Sequence, residues 1–200
     1  MDEATPLTRL IGERVRQERQ AHQWTLDYLA QASEVSRRML INIEQGVANP
    51  SVGILLKLSD TLGVALAALV EAPAPGKLKV TPSGTGPVLW SSPAGGRAVL
   101  LGSTAAPDVV ELWDWRLGAG DRHASDAHVA GTRELLHVLG GAVTIEVGAQ
   151  SVTLATGDAV TFHSDAPHAY ANPGTAPARF SLSVFEPAVG VAPRARSTHA

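Results

Sequence analysis

Residues 25–46 read TLDYLAQASEVSRRMLINIEQG, and their spacing predicts two short helices joined by a tight turn. The first spans Thr25 to Ala32, with Thr25 as its N-cap and apolar positions at Leu26, Leu29 and Ala30. The second runs from Arg37 to Gln45: Ser36 offers a side-chain oxygen to its first free N–H groups, and Gly46 ends it. At about 100° per residue, the faces of this second helix separate. Leu40 and Ile43 fall on one side, and Arg37, Arg38, Ile41, Asn42 and Gln45 fall together on the other. A buried anchor opposite long hydrogen-bonding side chains suits a helix laid into the DNA major groove, where Arg bonds guanine, Asn bonds adenine and an apolar group meets a thymine methyl.

Outward from this stretch, the same periodicity continues. Residues 7–21 form an amphipathic pattern with Leu7, Leu10, Ile11 and Val15 on one side. Asn49-Pro50 marks a turn, Ser51 caps a helix over 52–62, Gly63 stops it, and a short helix follows at Leu66 to Val70. The expectation is five helices within residues 1–72. Residues 73–87 are rich in Pro and Gly and read as a linker. From 88 to 190 the pattern is β, with short alternating runs at 99–101, 109–117, 134–141, 142–147, 151–157, 159–163 and 179–185. Lys77 to Val80 and Val88 to Trp90 are further candidate strands, and 191–200 is a tail. Such short strands between regular turns argue for a sandwich or barrel.

Composition narrows the function classes. The chain of 200 residues is 44% hydrophobic and 18% charged, as an ordinary globular protein is. With no cysteine, disulfides and thiolate metal sites are excluded. The polar start and the lack of a long apolar run argue against a signal peptide or membrane span, making the cytoplasm the expected compartment. Net charge is −3, and acidic groups outnumber basic ones over residues 1–72. Non-specific phosphate attraction is therefore modest, and recognition depends on clustering the few cations on one face. No nucleophile elbow and no phosphate loop is present.

Several of these features coincide with known family patterns. The T-L-x-x-L-A opening, V-S-x-x-x-L-x-x-I-E-x-G, N-P-S and L-L-K-L-S-D-T-L-G-V resemble the lambda-repressor-like, XRE-type helix-turn-helix family over about residues 9–70. The resemblance implies a double-stranded DNA operator and a homodimer. It gives a contact set of Thr25, Ser36, Arg37, Arg38, Ile41, Asn42, Gln45, Asn49 and Ser51, with Ser36 and the loop from Ala48 to Ser51 on phosphates. Glu44 borders the two faces and is expected in an internal ion pair.

In the β half, residues 120–141 and 157–172 resemble the two motifs of the cupin superfamily, implying a jelly-roll (double-stranded β-helix) barrel. The second motif is well matched by Gly157-Asp158, His168 and Asn172, with His163 in place of the usual proline. The first departs: Asp126 stands where the first His of a His-x-His pair belongs, and the spacer from His128 to Glu134 is long. The resemblance implies His128, Glu134 and His168 as metal ligands, with Asp126 as a fourth, for a divalent Zn, Fe or Mn. The alternative is a metal-free polar patch that hydrogen-bonds an organic ligand. Trp113 and Trp115 share a strand face with Glu111, so these three and His163 are the candidate effector pocket, against a plain core role for the rings. His123 and His137 read as surface or strand histidines.

The expected function is therefore a DNA-binding transcriptional regulator whose barrel senses a small-molecule effector. The competing readings are a metal-dependent cupin oxygenase or isomerase carrying a DNA-binding domain, and a barrel that serves only for dimerisation.

Overall fold

The computed structural model describes residues 5–71 and 78–190. The expected tail at 191–200 and the part of the expected linker up to residue 77 lie outside them. Helices α1 (Pro6–Ala21), α2 (Leu26–Ser33), α3 (Arg37–Glu44), α4 (Val52–Leu62) and α5 (Leu66–Val70) form one domain. Thr5, Thr25, Ser36 and Ser51 each cap the helix that follows by accepting from the N–H three residues on. Ile11, Val15, Leu29, Leu40, Ile43, Leu55, Leu58, Leu66 and Leu69 are fully or almost fully buried among these helices, so the anchor face of α3 is in its core. Among the described residues no helix is long and apolar enough to cross a membrane.

Ten antiparallel strands follow: β1 (Val88–Ser91), β2 (Arg97–Ser103), β3 (Val109–Leu117), β4 (Arg122–Ser125), β5 (Arg133–Gly140), β6 (Ala142–Val147), β7 (Gln150–Ala155), β8 (Ala159–His163), β9 (His168–Ala171) and β10 (Ala178–Glu186). Their order is β1-β2-β3-β10-β5-β8 in one sheet and β4-β9-β6-β7 in the other, a two-sheet sandwich. Residues 78–80 carry no strand. The strands β4 and β9, not anticipated as strands, pair with each other and bring His168 opposite Ser125.

Alternation along the strands decides what faces inward. Glu111, Trp113, Trp115 and Leu117 alternate inward along β3, Glu134, Leu136 and Val138 along β5, and Phe180, Leu182, Val184 and Glu186 along β10. The register sets Val184 between Glu111 and Glu134, which places two buried carboxylates in one row across three strands.

The domains meet along α4 and α5. A methyl group on Gly190 would lie 2.1 Å from the Cα of Gly63, so the backbone after β10 runs directly against the end of α4. Ala65, Val109 and Val189 form a small buried cluster beside this contact.

Candidate functional site

Two sites emerge, one on each domain. The first is the outer face of α3. It is held at a fixed height because α1 approaches closely: a Cβ on Gly12 would sit 2.3 Å from the Ile43 carbonyl oxygen. Arg19 clamps the far end of the helix. Its Nε and Nη2 donate to the two oxygens of Glu44 at 2.6 and 2.8 Å, and Nη1 donates to the Trp24 carbonyl. Glu44 is thus the internal ion-pair partner that its position suggested.

Ser36, Arg37, Arg38 and Gln45 are exposed, while Ile41 and Asn42 are half-buried on the same flank. Arg37 Nε lies 2.7 Å from Asp27 Oδ1, with both side chains largely in solvent (58% and 75% exposed). Arg38 makes no ion pair among the described residues. The Asn42 carbonyl accepts from Val47 and Ala48, which shapes the loop leading to Asn49 and Ser51. Thr25, Asn49 and Ser51 are exposed. The N-termini of α2, α3 and α4 therefore begin at exposed cap residues, with first-turn N–H groups that have no helical partner.

The second site lies inside the barrel. His128, Glu134 and His168 bring one ligand atom each within 4.8 Å of one another. His128 and His168 both direct Nε2 at Glu134 Oε1, from 3.4 and 3.3 Å. His128 reaches the site from the loop after β4, where its N–H donates to the Ser164 carbonyl. The other Glu134 oxygen accepts from the Tyr170 hydroxyl. His168 Nδ1 is 3.0 Å from the Ala166 carbonyl, so that nitrogen carries a proton and donates, as outer partners of metal-binding histidines do.

In the neutral imidazole, Nε2 is then a lone pair aimed at a carboxylate lone pair. Neither His168 Nε2 nor Glu134 Oε1 has a hydrogen-bond partner, and both are buried. Only a proton or a cation between them relieves that arrangement. Metal–ligand bonds of about 2.0–2.1 Å set neighbouring ligand atoms roughly 3.0–3.4 Å apart, which the two His–Glu134 distances fit.

Charge follows the same logic. Burial alone would raise the Glu134 carboxyl, but its contacts with His128, His168 and Tyr170 outweigh that and hold it at about 2. Burial lowers His168, and the Glu134 carboxylate more than offsets it, so the ring titrates above its ordinary value. Burial and the Glu134 charge both push Tyr170 up.

Glu111, Trp113 and Trp115 do face this interior, lining a small void of about 30 Å³ beside the trio. Trp113 Nε1 donates to Glu111 at 3.0 Å. Burial and the nearby Glu186 raise Glu111 to about 8, and Glu186 is itself raised by burial. Trp115 stacks on Phe180 and is a core ring as well as a cavity wall. Trp115 Nε1 is buried without a partner.

Two expectations need correction. His163 is exposed on the outer face of β8; the alternation puts Val160 and Phe162 inward instead, so it lines neither cavity. Asp126 is exposed on the rim of the larger cavity and does not join the three ligand atoms. His123 is a strand histidine in β4, as expected; its half-buried ring packs among Trp90, Trp115 and Tyr170, and burial lowers it to about 4. Tyr170 and Glu186 were not singled out beforehand. Glu186 was legible, since it continues the inward alternation of Phe180, Leu182 and Val184.

A larger cavity of about 590 Å³ opens beside His128 and His168. One wall is the barrel rim, including Trp90, His123, Ala127, His128 and His168. The other is α4, through Ser51, Val52, Gly53, Leu56, Lys57 and Asp60.

Comparison with known proteins agrees with this architecture. Residues 15–69 match the family described as Helix-turn-helix, and residues 113–185 match the Cupin domain family. The chain is 28% identical over 184 residues to the HTH-type transcriptional regulator SutR of Escherichia coli K12, covering 90% of this chain and 97% of that one. A crystal structure of an HTH_3 family transcriptional regulator from Vibrio cholerae superposes with a TM-score of 0.71 at 27% identity, again covering 90% and 97%. Hydroxypropylphosphonic acid epoxidase from S. wedmorenis is more distant, at 21% identity and a TM-score of 0.42, over 88% and 97% of the two chains. The chain thus joins an N-terminal helix-turn-helix domain of the HTH_3 (XRE) type to a C-terminal cupin domain, and it is homologous to the transcriptional regulator SutR.

Proposed function

We propose that the protein reads a DNA operator through α3 and responds to a small-molecule effector bound in its barrel. The observation that carries the DNA reading is the ridge of exposed Arg37, Arg38 and Gln45 with half-buried Asn42, over the buried Leu40 and Ile43. Arg38 bonds guanine, Asn42 bonds adenine, and Ile41 meets a thymine methyl. Thr25, Ser36, Asn49 and Ser51 hold phosphates at the rims of the groove. With DNA as the partner, the cytoplasm is the working compartment.

The effector half of the proposal rests on the trio and its cavity. His128, Glu134 and His168 hold a divalent cation, for which two imidazoles and a carboxylate suit Fe(II), Zn or Mn. Three protein ligands leave positions open towards the cavity, where an effector's oxygen or nitrogen atoms complete the coordination.

The active form is a homodimer joined through the barrels. Leu112 of β3 and Leu135 of β5 flank Ser183 in the register, and Val110 and Leu139 are also exposed on the outward face of that sheet. Apolar groups clustered on an outer sheet face suit burial against a second copy.

The test is operator selection from random-sequence DNA by the full chain, followed by Arg38→Ala. That variant folds normally and loses about 1–3 kcal/mol of discrimination at one base pair of each half-site. Unchanged operator affinity in Arg38→Ala removes the proposed reading face. The open side of the trio also supports a second reading, a metal-dependent oxygenase or isomerase. Turnover of a bound metabolite by metal-loaded protein selects that reading, and binding without turnover selects the sensor.

A further inference from the structure

The two sites share a structural element. Ser51 caps α4 through its hydroxyl, which accepts from Ile54 N–H, and it belongs to the proposed phosphate-contacting set. The same Ser51, with Val52 and Gly53, lines the 590 Å³ cavity. Val52 and Leu56 reach further in and also line the smaller void beside Glu111 and Glu134. The first turn of α4 therefore faces the barrel in this arrangement, and the N–H groups suited to a phosphate stand over the space suited to a ligand.

We infer that the effector is held between the barrel and the first turn of α4 of the same chain, so that its occupancy and the docking of a DNA phosphate at Ser51 exclude each other. This rests on the proposed DNA reading and specifies its regulation. A molecule filling the cavity touches both walls only while α4 lies against the barrel rim, so it favours that arrangement over any other. A phosphate needs the same edge of the helix free. The coupling is negative, and by linkage it is reciprocal: operator DNA weakens the effector by the same factor. Gly63 against Gly190 is the tight backbone contact on which the arrangement closes.

The absence of cysteine throughout the chain makes a direct test available. Ala127 is exposed on the barrel rim and lines the cavity opposite α4. In full-length Ala127→Cys, the single thiol is alkylated with N-ethylmaleimide or with the bulkier pyrenyl maleimide, which then stands as a covalent occupant. The control is Ser151→Cys, exposed on β7 and absent from both cavities. Operator affinity is measured before and after labelling, and the labelling rate with and without operator.

The expected result is at least a tenfold loss of affinity on labelling at 127, larger with the pyrenyl group, and none at 151. Operator DNA slows labelling at 127 and leaves 151 unaffected. Unchanged or tighter DNA binding after labelling at 127 overturns the exclusion while leaving the DNA reading intact, since Arg38→Ala reports on that independently. A wild-type chain that selects no DNA sequence at all overturns both.

Discussion

Asp27 meets Arg37 at 2.7 Å on the exposed face of the helical domain, whereas Glu134 lies 3.3 and 3.4 Å from His168 and His128 inside the barrel. The closer contact is the weaker one. Both partners of the first are more than half exposed, so water and salt screen it and two long side chains lose freedom to form it; such pairs contribute about 0–1 kcal/mol. In the second, the side chains of Glu134 and His168 are 1% and 0% exposed. Removing one partner there strands the others without water, at a cost of about 3–5 kcal/mol. The contrast separates two kinds of site. The exposed pair gives up its partner to water or another anion at little cost, while the trio gathers three groups able to ligate a metal in a buried place.

The strongest way to break that contrast is Glu134→Ala. It leaves His128, His168 and the Tyr170 hydroxyl without their shared partner, and it should destabilise the metal-free protein by about 3–5 kcal/mol in urea denaturation. If the trio holds a metal as proposed, Zn(II) binding seen in the wild type should be lost in the variant. The pH dependence carries a matching sign. Because Glu134 is held at about 2, below its ordinary 4.5, its contribution is complete above 4.5 and is lost as pH falls towards 2. The variant should lack that part of the acid limb. Wild-type stability in Glu134→Ala would show that the buried contact is as dispensable as the exposed one.

A smaller effect of opposite pH sign comes from the neighbouring row position. Glu111 is raised from 4.5 to about 8, chiefly by burial and then by Glu186. A raised carboxyl favours the folded state most below its unfolded value, so its contribution is lost as pH rises from 4.5 through 8. Glu111→Gln keeps an acceptor for Trp113 Nε1 and carries no charge. It should match the metal-free wild type near pH 4 and exceed it at pH 8 by on the order of 4 kcal/mol. His123 supplies an internal check: lowered to about 4 by burial, it contributes fully above 6.5 and loses that as pH falls towards 4. The acid limb from His123 should therefore persist in Glu111→Gln, while the alkaline decline flattens.

The same contrast between local and assembled features governs what the amino-acid sequence revealed. The α3 face was legible because one helix, its Ser36 cap and its Gly46 stop lie within eleven consecutive residues, and helical periodicity alone sorts Leu40 and Ile43 from Arg38 and Asn42. The trio was legible only through family motifs, since Glu134 and His168 lie in different sheets and no local period joins them. The strands β4 and β9 were missed because RHAS and HAYA are four residues each, too short to show alternation, and they are defined by pairing with each other across the chain. His163 was misplaced by motif position, where the parity of β8 puts Phe162 inward. The role of α4 as a cavity wall had no signal at all, because it depends on how two domains meet.

The smallest effect is also the one that sharpens the comparison most. Asp27 lies in the first turn of α2, where a negative charge favours the helix by about 0.3–1 kcal/mol, so Asp27→Ala should change folding stability by no more than about 1 kcal/mol. Its effect on DNA depends on where Arg37 goes. If Arg37 leaves Asp27 for a phosphate in the complex, the number of phosphates neutralised is the same with and without Asp27. The variant then binds operator roughly threefold tighter, because no ion pair has to be broken first, with an unchanged dependence on salt concentration. If Arg37 stays on Asp27 in the wild-type complex, the variant releases a new cation to the backbone, and the salt slope steepens by about one. An unchanged slope with a modest gain in affinity is the expected result, and it would identify Asp27 as a stand-in for the DNA phosphate on a surface that trades partners freely.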